Sequence, residues 1–531
     1  MDNTTKRRYP VGIQTFERIR KENYIYIDKT DLMWRMTKKS PFVFLSRPRR
    51  FGKTLLTTTL DAYFKGQKEL FEGLKIMQLE KEWESYPVLH FDLSLCKNKE
   101  NVEQVKRELL RQLSEHERGY RVEPKEDTPG ARFTELIRLV YEKAGKQVVV
   151  IIDEYDAPLL DVLHEDERLP EYRRVMQEFY QPLKANEAMI RFCFITGITK
   201  FSQLSIFSTL NNLRNISLNP EYSAICGITK EEMLSTFSDE IDMLATRYKT
   251  SREDMIGRLS LQYDGYHFTS ESPDIFNPFS LLGAFDERRI GSYWFSTGTP
   301  TFLYEQMRRF GTDIMKLSRM EVTATQFDVP TEGMVSALPL LYQSGYLTIK
   351  GYDIDTDKYT LDFPNAEVKV GFMEGFLGFN RVRFGEVEAR GFAGDFYASL
   401  LRHDTDGAMR HLQAFFAGIP YMEHGGGELA DIARFEAYYQ VLMYVVFSVF
   451  NSRTYTEVRS SRGRADVVVF MNDATYVMEI KVNGTAEQAL RQIDDKGYAI
   501  PYGDTGKPVV KIGVAFSQET RTVSDWKIVE C

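Results

Sequence analysis

The stretch Phe42–Leu56 reads FVFLSRPRRFGKTLL. Its apolar start, Phe42-Val43-Phe44-Leu45, predicts a buried β-strand, and the run TLLTTTLDAYF after Lys53 predicts a helix. A turn carrying Pro48 and Gly52 joins them. Strand, loop, Gly-Lys-Thr and helix is the layout of a phosphate-binding P-loop. There the free N–H groups and dipole of a helix N-terminus meet a nucleotide's phosphates. Lys53 would reach the β- and γ-phosphates and the Thr54 hydroxyl would hold Mg²⁺. Arg49, Arg50, Phe51 and Gly52 complete the cofactor-binding loop. Arg47 stands where the motif has its first glycine, and an ordinary basic turn would also read Gly-Lys-Thr.

A second stretch supplies the partner. Gln147–Asp156, QVVVIIDEYD, runs five aliphatic residues straight into two acids. That pattern predicts a buried parallel strand delivering carboxylates to its C-terminal end. Asp153 would hold Mg²⁺ through water and Glu154 would polarise the attacking water. A solvated acidic turn is the alternative, but two strands ending in complementary halves of one site favour ATP or GTP. A further strand, RFCFIT, ends in Thr196-Gly197, and Thr196 could sense the γ-phosphate. Strands alternating with helices across 40–220 predict a three-layer αβα domain of the P-loop NTPase type.

The bulk numbers exclude several classes. At 531 residues, two or three domains are expected. A net charge of −8 argues against a wholly basic nucleic-acid protein but leaves room for a local basic groove. The four cysteines, Cys96, Cys193, Cys226 and Cys531, form no CxxC pair, which suggests neither zinc site nor disulfide framework and fits a reducing cytoplasm. The N-terminus lacks a signal-peptide core, and the longest apolar stretch, Tyr438–Phe450, is too short to span a bilayer, so no membrane partner is expected.

From Thr229 the pattern turns helical, opening with a capping signature, Thr229 and Glu232. The division expected is 1–228, a P-loop domain; 229–355, a helical lid and mixed α/β region with a winged-helix-like arrangement as one option; and 356–531, a final α/β domain. The strings YDGYHF (263–268), IFNPFSLLGAF (275–285) and YWFSTGTPTFL (293–303) are rich in aromatics and turns, with no chemistry evident from spacing.

The last domain carries its own constellation in SSRGRADVVVFMNDATYVMEIKV, two apolar strands around a polar turn. With the turn at Asn472-Asp473, or with a symmetric loop over 471–474, Asp466 falls opposite Glu479, Cβ atoms about 5 Å apart. Glu479 and Lys481 share a sheet face. Two close carboxylates repel unless a cation sits between them; Mg²⁺ or Mn²⁺, hard ions preferring oxygen, would serve. Lys481 could orient or deprotonate water and stabilise a pentavalent phosphate. Glu436, on the preceding helix, could add a carboxylate. Downstream, Gln488 and Gln492 share a helix face and could fix the scissile phosphate or the lysine. An exposed hairpin with a salt bridge would also read D…ExK.

The strings YPVGIQTFERIR, YIDKT, FLSRPRRFGKT, IIDEYDAP, ITGITKFS, YDGYHF and FNPFSLL resemble the bacterial AAA-ATPase-like family, and GRADVVV, MEIKV and ALRQI resemble the PD-(D/E)XK nuclease domain that usually accompanies it. The resemblance implies a P-loop ATPase with a catalytic Glu beside the Mg²⁺ Asp, followed by a restriction-endonuclease-like core. Asp466, Glu479 and Lys481 match the nuclease motif, and Glu436 its helical acid. The expectation is an ATP-dependent nuclease acting on nucleic acid, DNA before RNA, in defence or mobile-element control. Basic residues beside the acids, Arg453, Arg459, Arg462 and Arg464, would line its cleft. An ATP-controlled switch that binds nucleic acid or protein without cutting is the alternative, and assembly of identical subunits stays open.

Overall fold

The computed structural model describes residues 8–530 except 98, 164, 200–211, 298–300, 330–333, 380–385, 418–443, 446–447, 449–453, 461–462, 472, 518 and 521. The chain divides into two compact units: residues 1–294 with 321–364, and residues 295–320 with 365–531.

The first unit is built on a five-stranded parallel sheet. Its strands are β1 (Phe42–Ser46), β2 (Val88–Asp92), β3 (Val148–Asp153), β4 (Ile190–Gly197) and the short β5 (Arg214–Asn215), in the order β2-β3-β4-β1-β5. Val148–Ile152 are wholly buried, as an unbroken aliphatic run must be when both sheet faces are covered. Helix α1 (Lys53–Phe64) covers one face, where Phe64 stacks on Phe192 at 5.2 Å. Helices α2 (Val102–Tyr120), α3 (Pro129–Ala144) and α4 (Leu169–Ala185) complete the layers. On the opposite face, Phe91 of β2 meets Phe133 of α3 at 5.0 Å and Phe179 of α4 at 5.5 Å. The register explains the two faces: Phe192 lies beside Val149 and Phe91 beside Ile152, an odd number of residues along β3. The sheet is thus the three-layer αβα arrangement expected.

The strand order has a consequence for the site. The strand feeding the Gly-Lys-Thr loop (β1) and the strand delivering the acids (β3) are not neighbours; β4 pairs with both.

Residues 228–294 form a small helical subdomain around Met233, Phe237, Ile241, Leu259, Tyr263 and Phe285, including α5 (Pro278–Asp286). The Thr229–Glu232 capping box is present. An antiparallel hairpin, β6 (Thr348–Asp353) and β7 (Lys358–Asp362), follows.

The second unit holds a five-stranded mixed sheet in sequence order: β8 (Thr454–Ser460), β9 (Gly463–Phe470), β10 (Thr475–Val482), β11 (Val509–Ser517) and β12 (Thr522–Glu530). Only β10 and β11 pair in parallel; the other neighbours are antiparallel. A parallel pair needs a crossover, and helix α7 (Ala486–Lys496) is part of it, burying Ala486, Ala489 and Ile493. The chain falls into two units where three parts were expected, with 229–294 and 321–364 in the first unit beside 1–228. Residues 295–320 pack in the second unit against α6 (Ala366–Phe379), where the Tyr304 hydroxyl donates to the Phe372 carbonyl at 2.7 Å. Among the described residues, no helix is long and apolar enough to cross a membrane.

Candidate functional site

The first unit's site forms where β1 and β3 end. Helix α1 starts at Gly52, whose φ of 90° turns the chain sharply into the helix, and no side chain caps the first turn. Its N–H groups therefore face the loop, the arrangement that attracts phosphate. Lys53, 4% exposed, donates from Nζ to the Pro48 carbonyl at 3.2 Å and pairs with Glu154 Oε1 at 3.5 Å. The Thr54 side chain lies close enough to Asp153 to draw its pKa down. The structure thus brings Gly52, Lys53, Thr54, Asp153 and Glu154 together.

The electrostatics follow from burial. Asp153, 1% exposed, has its pKa pushed up to about 6, first by burial and then by the neighbouring Glu154 and Asp92 charges, against the pull of Thr54 and Lys53. For Glu154 burial also works upward, but Lys53, Lys97 and Arg49 outweigh it and hold the carboxyl below its usual range. Glu154 sits at φ 50°, left-handed for a residue with a Cβ. A hard cation fits here: the Thr54 hydroxyl and the Asp153 carboxylate are adjacent oxygen donors, and Asp153 is buried enough to need a positive partner.

Other expected residues are placed differently. Arg49 is exposed, and its carbonyl accepts from Trp294 Nε1 at 3.5 Å. The Arg50 side chain binds the Tyr293 carbonyl, and Phe51 is buried. The Thr196 hydroxyl donates to the Leu45 carbonyl at 2.7 Å, inside the sheet. Arg47, in the first-glycine position, is buried and donates to the carbonyls of Ser217 at 2.9 Å and Tyr222 at 3.1 Å.

Two residues were missed in the sequence. Lys97, after β2, lies 3.8 Å from Glu154 Oε2; nothing in LSLCKNKE announces it. Asp156 carries a legible signal, being the third acid of the DEYD run. Its Oδ2 accepts from the Ile198 N–H at 3.0 Å, the Thr199 N–H at 2.6 Å and the Thr199 hydroxyl at 2.7 Å, tying the acidic turn to the end of β4. Gly197 allows this approach, since a Cβ there would lie 2.3 Å from Asp156 Oδ1.

In the second unit the β9–β10 register pairs Val467 with Met478 through Phe470 with Thr475, the register a loop over 471–474 demands. One step further, Asp466 faces the Glu479–Ile480 corner, and its Oδ2 accepts from the Ile480 N–H at 2.8 Å. Glu479 is 2% exposed. Its Oε1 accepts from Lys481 Nζ at 3.1 Å and from Gln492 Nε2, while its Oε2 is buried with no hydrogen-bond partner. Burial first, and the Asp466 charge second, push the Glu479 carboxyl up to about 7, against Lys481. Gln488 does other work: its side chain accepts from the Thr485 N–H at 3.0 Å, closing the capping box of α7. Helix α7 approaches the sheet closely because Gly513, beside Glu479, has no Cβ; one would lie 2.1 Å from the Ala486 carbonyl.

A divalent cation fits this site on two observations: an unpartnered buried carboxylate oxygen and a second carboxylate held beside it. Among the described residues there is no group of three or more His, Cys, Asp or Glu that could hold a metal. Glu436, Arg453 and Arg462 lie outside the described residues.

Two family models match the chain, one in each half. The sequence model described as "Predicted AAA-ATPase" (AAA-ATPase-like) matches residues 10–207, and that of the PD-(D/E)XK nuclease superfamily matches residues 434–526. A protein of Azotobacter chroococcum mcd 1, described as an uncharacterized protein in the vnfD 5′ region, is 36% identical over 534 residues and covers 98% of each chain. Among solved structures, the Aeropyrum pernix ORC2 protein in its ADPNP–ADP complexes matches with 11% identity over 68% of this chain and 98% of that one. Its TM-score of 0.19 is too low to argue from. With this full-length relative and both matches in chain order, the protein belongs to the AAA-ATPase-like family and carries a C-terminal domain of the PD-(D/E)XK nuclease superfamily.

Proposed function

We propose that the first unit binds and hydrolyses ATP and that the second cuts phosphodiester bonds in nucleic acid, DNA in preference to RNA. The observation that carries the second claim is Glu479: a buried carboxyl with one oxygen unpartnered, its other oxygen on Lys481 and Gln492, and Asp466 beside it. A structural salt bridge would satisfy both oxygens; an ion site leaves one for the ion.

Asp466 and Glu479 would hold Mg²⁺ or Mn²⁺, which when bound supplies positive charge to the scissile phosphate and acidifies water. Lys481, partly exposed beside Glu479, would orient that water and take up or give its proton. Gln492 fixes the Glu479 carboxylate, which keeps the acid's free oxygen aimed at the ion. In the first unit, Lys53 and the α1 N–H groups would hold phosphates, Thr54 and Asp153 would hold Mg²⁺, and Glu154 would polarise the attacking water. ATP then acts as the regulator of cutting, in a cytoplasmic defence or mobile-element setting, with self-assembly open to the same control.

The test is a cleavage panel on DNA and RNA with Mg²⁺ or Mn²⁺, with and without ATP. The natural chain is expected to cut with Mn²⁺, and Asp466→Ala and Lys481→Ala each to lose at least about a hundredfold in rate. Robust cutting by both variants would remove the site assignment. Lys53→Ala is expected to lose ATP binding, and unchanged affinity would remove the P-loop reading.

A further inference from the structure

The loop RPRRFGKT holds one glycine, yet its backbone enters the left-handed region twice, at Arg50 (φ 67°) and Gly52 (φ 90°). Glycine takes that conformation freely; an arginine does so only under constraint. The constraint is visible. Arg50 Nη1 donates to the Tyr293 carbonyl at 2.8 Å, and the guanidinium lies over the Phe279 ring, 3.9 Å from its centroid. The next residue, Phe51, is 1% exposed and meets the rings of Tyr266 and Phe268 edge-on at 4.7 and 5.3 Å. Its carbonyl accepts from the Gly227 N–H at 3.1 Å. All these partners belong to the first unit, and the aromatic ones and Tyr293 lie in the strings YDGYHF, FNPFSLL and YWFSTG that spacing left without a chemistry.

We propose that Arg50 and Phe51 are positioning residues: the helical subdomain grips the phosphate loop through them and sets its nucleotide-accepting shape, the task glycines perform in a loop richer in them. This rests on the ATP reading and deepens it by naming what controls that site. The shaped part is the backbone cradle, which meets phosphates shared by ATP and ADP. Loosening the grip therefore weakens both nucleotides alike, even when the substituted residue lies on α5 rather than in the loop.

The experiment measures ATP and ADP affinity calorimetrically, and kcat at saturating ATP, for the full chain and for Arg50→Ala, Arg50→Gly, Phe279→Leu and the double variant Arg50→Ala/Phe279→Leu. Arg50→Ala and Phe279→Leu are expected to weaken both nucleotides by similar factors, up to about tenfold. The double variant is expected to be no weaker than the poorer single one, because both break one clamp. For Phe279→Leu, which lies on α5 outside the loop, the kcat is expected to hold within about twofold, since the catalytic carboxylates are untouched. Arg50→Gly keeps the left-handed backbone without strain, so it folds and still loses affinity. Full affinity in that variant would show that φ alone matters and would overturn the proposal. So would a loss for ATP and not ADP in Arg50→Ala, which marks a direct γ-phosphate contact, or an unchanged Phe279→Leu. A natural chain that binds neither nucleotide overturns the ATP reading itself, a distinct outcome.

Discussion

Glu479 shows how one side chain can carry both a stability cost and a binding site. Its carboxyl is raised from an ordinary 4.5 to about 7 by burial and by Asp466. A group raised in the folded state contributes stability that is fully present below its unfolded pKa and lost as pH rises through the folded value. The metal-free chain should therefore lose stability between about pH 4.5 and 7 at this residue. Glu479→Gln is expected to melt higher than the natural chain at pH 8 without metal, with the gain gone at pH 4. Added Mn²⁺ is expected to raise the natural chain's Tm at pH 8 and leave the glutamine variant's unchanged. Thermal melts at the two pH values, with and without the ion, check this. Glu154 is the reverse case, held down by Lys53, Lys97 and Arg49 against its burial. Lys97→Ala removes one of those cations, so the acidic limb of the ATPase pH profile is expected to move to higher pH. An unmoved limb would detach Lys97 from Glu154.

At the scale of elements, β2 is an exposed-edge problem solved by a helix. An edge strand presents unpaired N–H and C=O groups that invite foreign strands. Helix α2 answers them from one face with three side chains a helical turn apart. Gln112 Nε2 donates to the Asp92 carbonyl at 2.9 Å while its Oε1 accepts from the Asp92 N–H at 3.1 Å. His116 Nε2 meets the His90 carbonyl at 3.0 Å. The Tyr120 hydroxyl accepts from the Val88 N–H at 2.7 Å and donates to its carbonyl at 3.0 Å. Together they stand in for a neighbouring strand, at β2 positions that alternate with the inward-facing residues. Tyr120→Phe strips the partner from both Val88 groups and is expected to cost about 1–3 kcal/mol in urea unfolding, with faster aggregation as the edge opens. A change below about 0.5 kcal/mol would show that water replaces the hydroxyl there.

At the scale of the molecule, the two units are not simple stretches of chain. Residues 295–320 leave the first unit and join the second, where Tyr304 is 1% exposed and rests on Phe372 with ring centroids 5.2 Å apart. Gly371 and Gly375 make room: a Cβ would lie 2.2 Å from the Phe295 ring and 2.4 Å from the Tyr304 hydroxyl. A fragment of residues 365–531 should expose the α6 surface that this segment covers. It is expected to bind a hydrophobic dye and to melt over a broad range, whereas a fragment of 295–531 melts sharply. Equal melting of the two would mean that the segment adds nothing to the unit's stability.

The two sites were legible in the sequence to different depths, for a physical reason. Strand parity is local: a side-chain period of two and a loop of set length decide which residues face each other, so Asp466, Glu479 and Lys481 could be placed on one face from spacing alone. The αβα layering followed from aliphatic runs alternating with helical ones, and the Thr229–Glu232 cap from two residues in one turn. Gly52-Lys53-Thr54 and Asp153-Glu154 were readable as halves of one site, but not that β4 lies between their strands, because strand order is settled by packing across the whole sheet. Lys97 beside Glu154, Gln488 spent on a cap, Thr196 spent inside the sheet, Arg50 and Phe51 held by the helical subdomain, and residues 295–320 joined to the second unit all depend on contacts between distant parts of the chain. No local spacing encodes those contacts; only the tertiary structure decided them.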